Sequence, residues 1–237
     1  MPGKHAYLSP SAASRWTSCP SSAYREHQAG LKFSDRGSSP AAAEGILAHS
    51  YFEKLMQTGS FDSDEDMKDH LLLCRAALTK NYPGQRWNTE VKIPIYKAFG
   101  VPENILFGTA DLLGTTSETL MIVDLKYGKY PVSPVENDQL ILYAIGAAEA
   151  TGWRHLNVDL VILQPRAKGR LFKRWSLTLN QLRDHRDRLL QAVKAQNKTD
   201  VVAGSYCYFC KAIACPTRVQ PGVSNEELSD DALWSDD

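Results

Sequence analysis

The chain has 237 residues, with 27 basic and 27 acidic side chains and an apolar share of 43%. That length allows one large domain with a substantial core, and the composition is typical of a globular protein. No apolar run approaches membrane length and the polar start MPGKHAYLSP is unlike a signal peptide, so we expect a cytoplasmic protein without a membrane partner.

The net charge of zero is the sum of two unequal parts. The last thirteen residues, NEELSDDALWSDD, hold six acids and no base, which leaves 21 acids against 27 bases, about +6, in the rest of the chain. Such a charge is compatible with nucleic acid. We predict a single domain over residues 1–223 and a disordered acidic tail over 224–237. Leu233 and Trp234 in the tail also allow docking to a protein partner or onto the DNA groove of the domain.

Helices are predicted for the N-terminal part. Ser9 and Pro10 favour a helix start, and the helix breaks at Cys19-Pro20 before it resumes. After the loop GLKFSDRGSSP, residues 41 to 58 carry an apolar stripe at helical spacing. The segment SDEDMKDHLLLCRAALTKNY predicts a further helix, because its acids are gathered in the first turn.

From residue 87 the pattern changes to strands. Three are predicted in succession, WNTEVKIPIY, ILFGTADLLG and TLMIVDLK, followed by the helix ENDQLILYAIGAAEATG. The strands NVDLVILQP and LFKRWSLTL then flank a basic turn, and a basic helix, NQLRDHRDRLLQAVKAQN, follows them. This order predicts an α/β core with a mixed sheet.

Asp124 and Lys126 follow a run of four apolar residues and point to the same face of the third strand. A surface ion pair and a catalytic pair both fit this pattern. Asp111 lies in the second strand, so a hairpin would bring the two carboxylates together. They would repel each other unless a cation lay between them, and a hard divalent ion suits oxygen ligands.

Two helices add further polar pairs at a spacing of four residues, which places each pair on one helical face. His49 and Glu53 belong to the helix before the strands, and Gln139 and Tyr143 belong to the helix after them. A structural histidine and a helix surface packed on the sheet are the alternative interpretations.

In this order, GILAHSYFE, GTAD, VDLKYGK and QLILY resemble the RecB-like branch of the PD-(D/E)xK nuclease superfamily, over residues 45 to 143. The resemblance implies a restriction-endonuclease-like αβββαβ core with a mixed central sheet flanked by helices. It also implies a Mg²⁺- or Mn²⁺-dependent DNA nuclease. The implied metal ligands are His49, Asp111, Asp124 and the Leu125 carbonyl. Lys126 would orient the attacking water or stabilise the phosphate, and Gln139 and Tyr143 would brace the site or touch DNA.

The cysteines predict a second centre. Cys207, Cys210 and Cys215 are too few to complete a tetrahedral site, and Cys19 is the candidate fourth ligand, whereas Cys74 fits a core position. A distant cysteine with a C-terminal triplet resembles the iron–sulfur members of the same branch, which include the AddB nuclease domain and CRISPR-associated spacer-trimming nucleases. The resemblance implies a 4Fe–4S cluster that joins the ends of the domain; zinc remains the alternative.

The basic turn between the last two strands predicts phosphate contacts. The candidates are Arg166, Lys168, Arg170, Lys173 and Arg174. A solvated charged surface is the alternative. No base-reading module is evident, so we expect DNA binding without sequence specificity, to linear duplexes or single strands.

We therefore expect a DNA exonuclease. The chain contains no helicase P-loop and resembles phage or prophage nucleases that act in recombination, replication or host-DNA degradation, which would place it in a bacterial host cell. A spacer-processing nuclease and a catalytically silent DNA-binding or assembly protein of the same fold are the alternatives.

Overall fold

The computed structural model describes residues 6–30 and 40–217. Within them, five strands form one sheet in chain order: β1 (Asn88–Ile93), β2 (Gly108–Thr115), β3 (Thr119–Leu125), β4 (Asn157–Leu163) and β5 (Phe172–Thr178). The helices are α1 (Ala13–Trp16), α2 (Ser22–Gly30), α3 (Pro40–Thr58), α4 (Glu65–Asn81), α5 (Tyr96–Phe99), α6 (Asp138–Ala150) and α7 (Leu179–Lys194), with 3-10 turns at Pro10–Ala12 and Ser205–Phe209.

The sheet is mixed. β1, β2 and β3 pair antiparallel, β3 and β4 pair parallel, and β4 and β5 pair antiparallel. The parallel pair requires a crossover, which α6 supplies. The predicted α/β fold with a mixed sheet flanked by helices is therefore confirmed.

Helices cover both faces of the central strands. One core contains residues of α6 and α7 with Ile122, Leu160 and Ile162, and the other contains residues of α3 and α4 with Val123 and Leu163. β3 and β4 are buried at nearly every position, as expected for strands packed on both faces. These two cores fix the central strands, whose carboxyl ends carry the polar residues of interest.

Two local predictions have different outcomes. β1 ends at Ile93, and the predicted continuation through Tyr96 is wrong because Pro94 has no N–H for a strand ladder and the chain turns into α5. The predicted break at Cys19-Pro20 is confirmed. There, the N–H of Asn197 donates to the Pro20 carbonyl at 3.1 Å and the N–H of Ser21 donates to the Asp200 carbonyl at 3.1 Å.

The turn after α1 is therefore paired with the segment that follows α7. The predicted acidic tail, 224–237, lies outside the described residues, and the predicted single-domain boundary at residue 223 stays a prediction. No helix in the described ranges combines the length and apolar character that crossing a membrane requires.

Candidate active site

Asp124 and Lys126 face each other at the end of β3. Lys126 Nζ lies 2.9 Å from Asp124 Oδ2, and Asp124 is only 3% exposed. An exposed ion pair, the alternative from sequence, is therefore wrong. The described residues offer Oδ2 no hydrogen bond beyond this ion pair, so that oxygen keeps lone pairs for a further cation.

Asp111 reaches the same place because β2 and β3 separate there. Their ladder ends at the Leu112–Val123 pair, a register that places Asp111 next to Asp124. The Leu125 N–H donates to Asp111 Oδ2 at 2.6 Å instead of to a carbonyl of β2. The two carboxylates converge at this opening in the sheet, as the hairpin arrangement predicted.

His49 approaches the carboxylates from α3. Its Nδ1 lies 3.1 Å from Asp111 Oδ1, and its side chain is 35% exposed. A histidine with only a packing role would be satisfied inside the apolar core. His49 instead contacts a candidate metal ligand and remains open to solvent.

Glu90 is a site residue that the sequence interpretation missed. It has a φ of 46°, in the left-handed region. The paired residues of β1 and β2 go from Thr89–Leu112 directly to Val91–Ala110, so Glu90 lies opposite Asp111 without being paired to it. Such strain in a non-glycine residue is often found at functional sites. The available sequence signal was an acid within a β-rich run, where Glu is depleted.

His49, Glu90 and Asp111 offer ligand atoms that all lie within 4.8 Å of one another. Ligands on opposite sides of a Mg²⁺ ion, each at about 2.1 Å, are about 4.2 Å apart. The group is thus close to the size that one ion requires, and its oxygen-rich donor set with one imidazole suits Mg²⁺ or Mn²⁺. These three residues line an open cavity of about 550 Å³, which Glu53 and Ser50 also line.

Gln139 connects the acid and the lysine. Its Nε2 donates to Asp124 Oδ1 at 2.9 Å, and its Oε1 accepts from Lys126 Nζ at 2.8 Å. Nε2 also donates to the Tyr143 hydroxyl, one turn later on α6, at 3.3 Å. Asn137 positions this helix by capping it through the Leu140 N–H.

Tyr143 is held by a close approach to the sheet. A Cβ added to Gly108 would lie 2.6 Å from the Tyr143 ring, so only glycine leaves room for the ring at this position. The predicted pair Gln139 and Tyr143 therefore belongs to the same hydrogen-bonded group as Asp124 and Lys126, rather than to a plain packing surface.

The electrostatics of the group favour an added cation. Burial raises the pKa of Asp124, and the Lys126 ammonium opposes that shift. Burial and the neighbouring charges of Asp111 and Glu53 raise the pKa of Glu90. Burial alone would lower the pKa of His49, but its hydrogen bond to Asp111 and the surrounding carboxylates raise it. For Asp124 and Glu90 the main cause is the loss of hydration, with neighbouring carboxylates adding to it, and for His49 the carboxylates outweigh burial. All three shifts make an added proton favourable, and a bound cation would serve the same carboxylates.

The predicted DNA-contact residues divide into two groups. Arg166 pairs with Glu44 at 2.6 Å, Arg174 lies 3.8 Å from Asp159, and Lys173 donates to the Val132 carbonyl at 2.8 Å. Lys168 and Arg170 are exposed and make no ion pair with the residues that the structure describes. Three of the five candidates are thus engaged within the protein.

The four cysteines of the predicted centre line one small cavity of about 20 Å³, roughly the room for one water. Their sulfurs are not gathered at one point. Among the described residues, no three cysteine sulfurs lie within 4.8 Å of one another, whereas sulfurs at about 2.3 Å from one zinc ion would do so. The structure shows a shared location without a closed ligand sphere.

Backbone amides already point at two of these sulfurs. The Val202 N–H donates to Cys19 Sγ at 3.5 Å, and the Gly204 N–H donates to Cys207 Sγ at 3.4 Å. Cys74 is fully buried in the core with α3 and α4, as predicted, and burial raises the pKa of its thiol to about 12.

The chain matches the family described as "Protein of unknown function (DUF2800)" over residues 5–92 and 76–235, and it belongs to that family. A solved structure described as "Crystal structure of SSO0001" aligns with 12% identity and a TM-score of 0.34, over 83% of this chain and 96% of that chain. At this TM-score the likeness carries no argument about fold or function.

Proposed function

We propose that this member of the DUF2800 family is a metal-dependent deoxyribonuclease of the PD-(D/E)xK type, similar to its RecB-like branch. One observation carries the proposal. Asp111, Asp124, Lys126 and Gln139 meet in a single group at an opening between β2 and β3, beside the ligand cluster of His49 and Glu90. An acid-rich metal cluster next to an aligned lysine suits hydrolysis of a phosphodiester.

The metal ligands in this proposal are His49, Asp111 and Asp124 with the Leu125 carbonyl, and Glu90 joins them. A bound Mg²⁺ or Mn²⁺ would supply charge neutralisation of the phosphate and a more acidic water. Asp111 and Asp124 lie side by side where β2 and β3 separate, and among the described residues Lys126 supplies the ammonium that pairs with Asp124.

Lys126 would stabilise the charge that develops on the phosphate. Its Nζ is held by Asp124 and by Gln139, so its direction is fixed before substrate binds. Gln139 contributes by orientation: its amide accepts from the lysine and donates to the aspartate, and the Tyr143 hydroxyl limits its rotation. In this role Gln139 and Tyr143 are positioning residues.

We further propose that the four cysteines hold a metal–thiolate centre, a 4Fe–4S cluster or zinc, with a structural role. The support is the shared cavity, the two N–H···S hydrogen bonds and the all-thiol donor set. The all-thiol donor set suits either group, and the resemblance to iron–sulfur nucleases is what favours the 4Fe–4S cluster. The small cavity requires the segment after Gly204 to move outward to accept it.

The test of the nuclease proposal is incubation with end-labelled linear duplex, single-stranded and covalently closed circular DNA, with Mg²⁺, Mn²⁺ or EDTA. We expect metal-dependent release of label from ends and slow attack on closed circles, because the sequence shows no base-reading module that would position an internal site. Rapid cutting of closed circles would indicate an endonuclease instead. The absence of any metal-dependent cleavage by metal-reconstituted protein would contradict the proposal.

A further inference from the structure

Two loop tips lie beside the candidate active site and form one surface, which we call the tip surface: residues 128–131, after β3, and residues 167–170, between β4 and β5. The first tip begins two residues after Lys126, and its segment ends at α6, which carries Gln139. Because Lys126 and Gln139 are hydrogen-bonded to each other, both ends of this segment are fixed at the site.

A buried glutamine holds the two tips together. Gln164, 1% exposed, donates to the carbonyls of Gly128 and Tyr130 and accepts from the Val132 N–H. Lys173 donates to Gln164 and to the Val132 carbonyl. Four hydrogen bonds therefore hold the backbone of residues 128–132, and a fifth joins the two side chains, Lys173 and Gln164, that make them.

This fixed backbone presents an aromatic ring to solvent. Tyr130 is 84% exposed, which makes it the most exposed large apolar side chain among those the structure describes. Gln164 donates to the Tyr130 carbonyl at 2.6 Å, which fixes the backbone from which the ring projects. A chain of four residues spans at most about 14 Å, so the ring lies within reach of a strand bound at Lys126.

Both tips carry positive charge that is not paired with a described acid. Lys129, Lys168 and Arg170 are exposed, and none of them forms an ion pair with a described residue. The neighbouring Arg166 and Arg174 are, by contrast, engaged with Glu44 and Asp159. Each tip therefore carries at least one cation that is available to a phosphate, and the first tip also carries the exposed aromatic side chain.

We propose that the tip surface binds single-stranded DNA, with Tyr130 stacking on an unpaired base, and that single-stranded ends are the preferred substrate of the neighbouring site. The preference for cleavage rests on the proposed nuclease function, whereas the binding does not. An exposed aromatic ring among cations is the arrangement with which proteins hold single strands, because every base has a face to stack on. In an intact duplex those faces are covered by neighbouring bases.

The experiment measures binding without cleavage, in EDTA, by fluorescence anisotropy of a labelled oligonucleotide in single-stranded and duplex form. We expect Tyr130→Ala to weaken single-strand binding about tenfold, in line with the stacking energy of one base, and to change duplex binding less than twofold. Tyr130→Phe retains the ring and should bind like the original protein. Leu156→Ala, a remote exposed apolar residue, is the control and should also bind normally.

Two further readouts separate stacking from charge. An oligonucleotide with 2-aminopurine at successive positions should lose fluorescence at one position on binding, and Tyr130→Ala should abolish that loss. Replacing Lys129, Lys168 and Arg170 together with Gln should reduce the slope of log affinity against log salt by about 2, since each single-strand phosphate contact contributes about 0.7.

The outcomes distinguish this inference from the nuclease proposal. Equal single-strand binding by Tyr130→Ala and the original protein would overturn the inference, even if metal-dependent cleavage is observed. Tyr130-dependent binding without any cleavage would support the inference and contradict the nuclease proposal. Tighter binding to duplex than to single strands would also overturn it.

Discussion

The candidate active site and the cysteine segment place their functional groups in opposite ways. At the active site, Asp124, Lys126 and Gln139 contact one another directly, on a strand and a helix packed into the core. The cysteines lie on a short turn and on a segment with little regular structure, and their sulfurs remain apart. Polar groups on rigid elements are thus brought into contact by the packing of those elements, whereas the thiols on irregular segments are not.

We expect the largest effect at the candidate active site. Asp111→Asn removes a metal ligand while it keeps an oxygen for the Leu125 N–H, so the fold should persist and cleavage should fall by roughly 10²-fold or more. Initial rates on end-labelled linear DNA with Mn²⁺ measure this. Asp187→Asn, on the surface of α7, is the matched control. A variant with near-normal activity would remove Asp111 from the site.

Cys19→Ser tests the second region of the comparison, the segments that carry the four cysteines. If the four cysteines share one centre, this change opens a cross-link between segments about 190 residues apart, and cross-links over long loops contribute about 4 kcal/mol. The melting temperature should fall by roughly 10 °C in a chain of this length. Anaerobically purified protein should also lose its brown colour.

Cys74→Ser is the control for that experiment. Its core position should reduce stability somewhat, but the colour and the metal content should be unchanged. Full cluster loading in Cys19→Ser would show that Cys19 is not a ligand, and a colourless original protein with one bound zinc would replace the cluster with zinc.

Gln139→Leu tests the positioning of Asp124 and Lys126 by itself. It removes the hydrogen bonds that both residues make to Gln139 and leaves the proposed metal ligands in place. Asp124 and Lys126 would lose their shared partner, so we expect kcat to fall about tenfold, while the affinity for Mn²⁺ changes little because no ligand is lost. Steady-state kinetics and calorimetric titration separate the two. Gln191→Leu on α7 is the control. A parallel loss of metal affinity would mean that Gln139 acts through the ligands instead.

Glu90→Gln should give the smallest change in stability. Because burial and the charges of Asp111 and Glu53 raise the pKa of Glu90 in the folded protein, its ionised form destabilises the metal-free fold. The variant should therefore melt slightly higher at neutral pH, as thermal unfolding would measure. This gain should fade as the pH falls through the raised pKa and vanish below the ordinary glutamate value of about 4.3.

The same variant should bind Mn²⁺ about tenfold more weakly, since a ligand is lost. Calorimetric titration of the original protein should likewise show weaker Mn²⁺ binding as the pH falls, because protons compete for Glu90 and His49. Unchanged Mn²⁺ affinity in Glu90→Gln would exclude Glu90 from the ligand set.

The sequence predicted what depends on local pattern. Alternation along β3 correctly placed Asp124 and Lys126 on one face, and the spacing of four residues placed Gln139 and Tyr143 together. The order of elements predicted the mixed sheet. These features follow from strand and helix periodicity, which a single sequence contains.

The sequence did not predict what depends on register and on contacts across the fold. Glu90 joins the site through a positive φ and its position opposite Asp111, and neither is visible in local pattern. In the sequence, Lys173 and Arg170 are both basic residues of the same basic stretch. In the structure, however, Lys173 donates a hydrogen bond to the buried Gln164, and burial lowers the pKa of Lys173. A charged residue is assigned to the surface or to the interior only by its tertiary partners.

The sheet order also bears on how the chain folds. β2 and β3 are joined by a turn of three residues, whereas β4 pairs with β3 only after the chain has passed through α6. Local pairings form faster than distant ones. On a ribosome, the meander that carries Glu90, Asp111 and Asp124 is synthesised before Gln139 and β4. If the proposed function holds, the candidate metal ligands of the sheet would come together before the helix that aligns Lys126 docks, and metal affinity would precede any capacity to cut DNA.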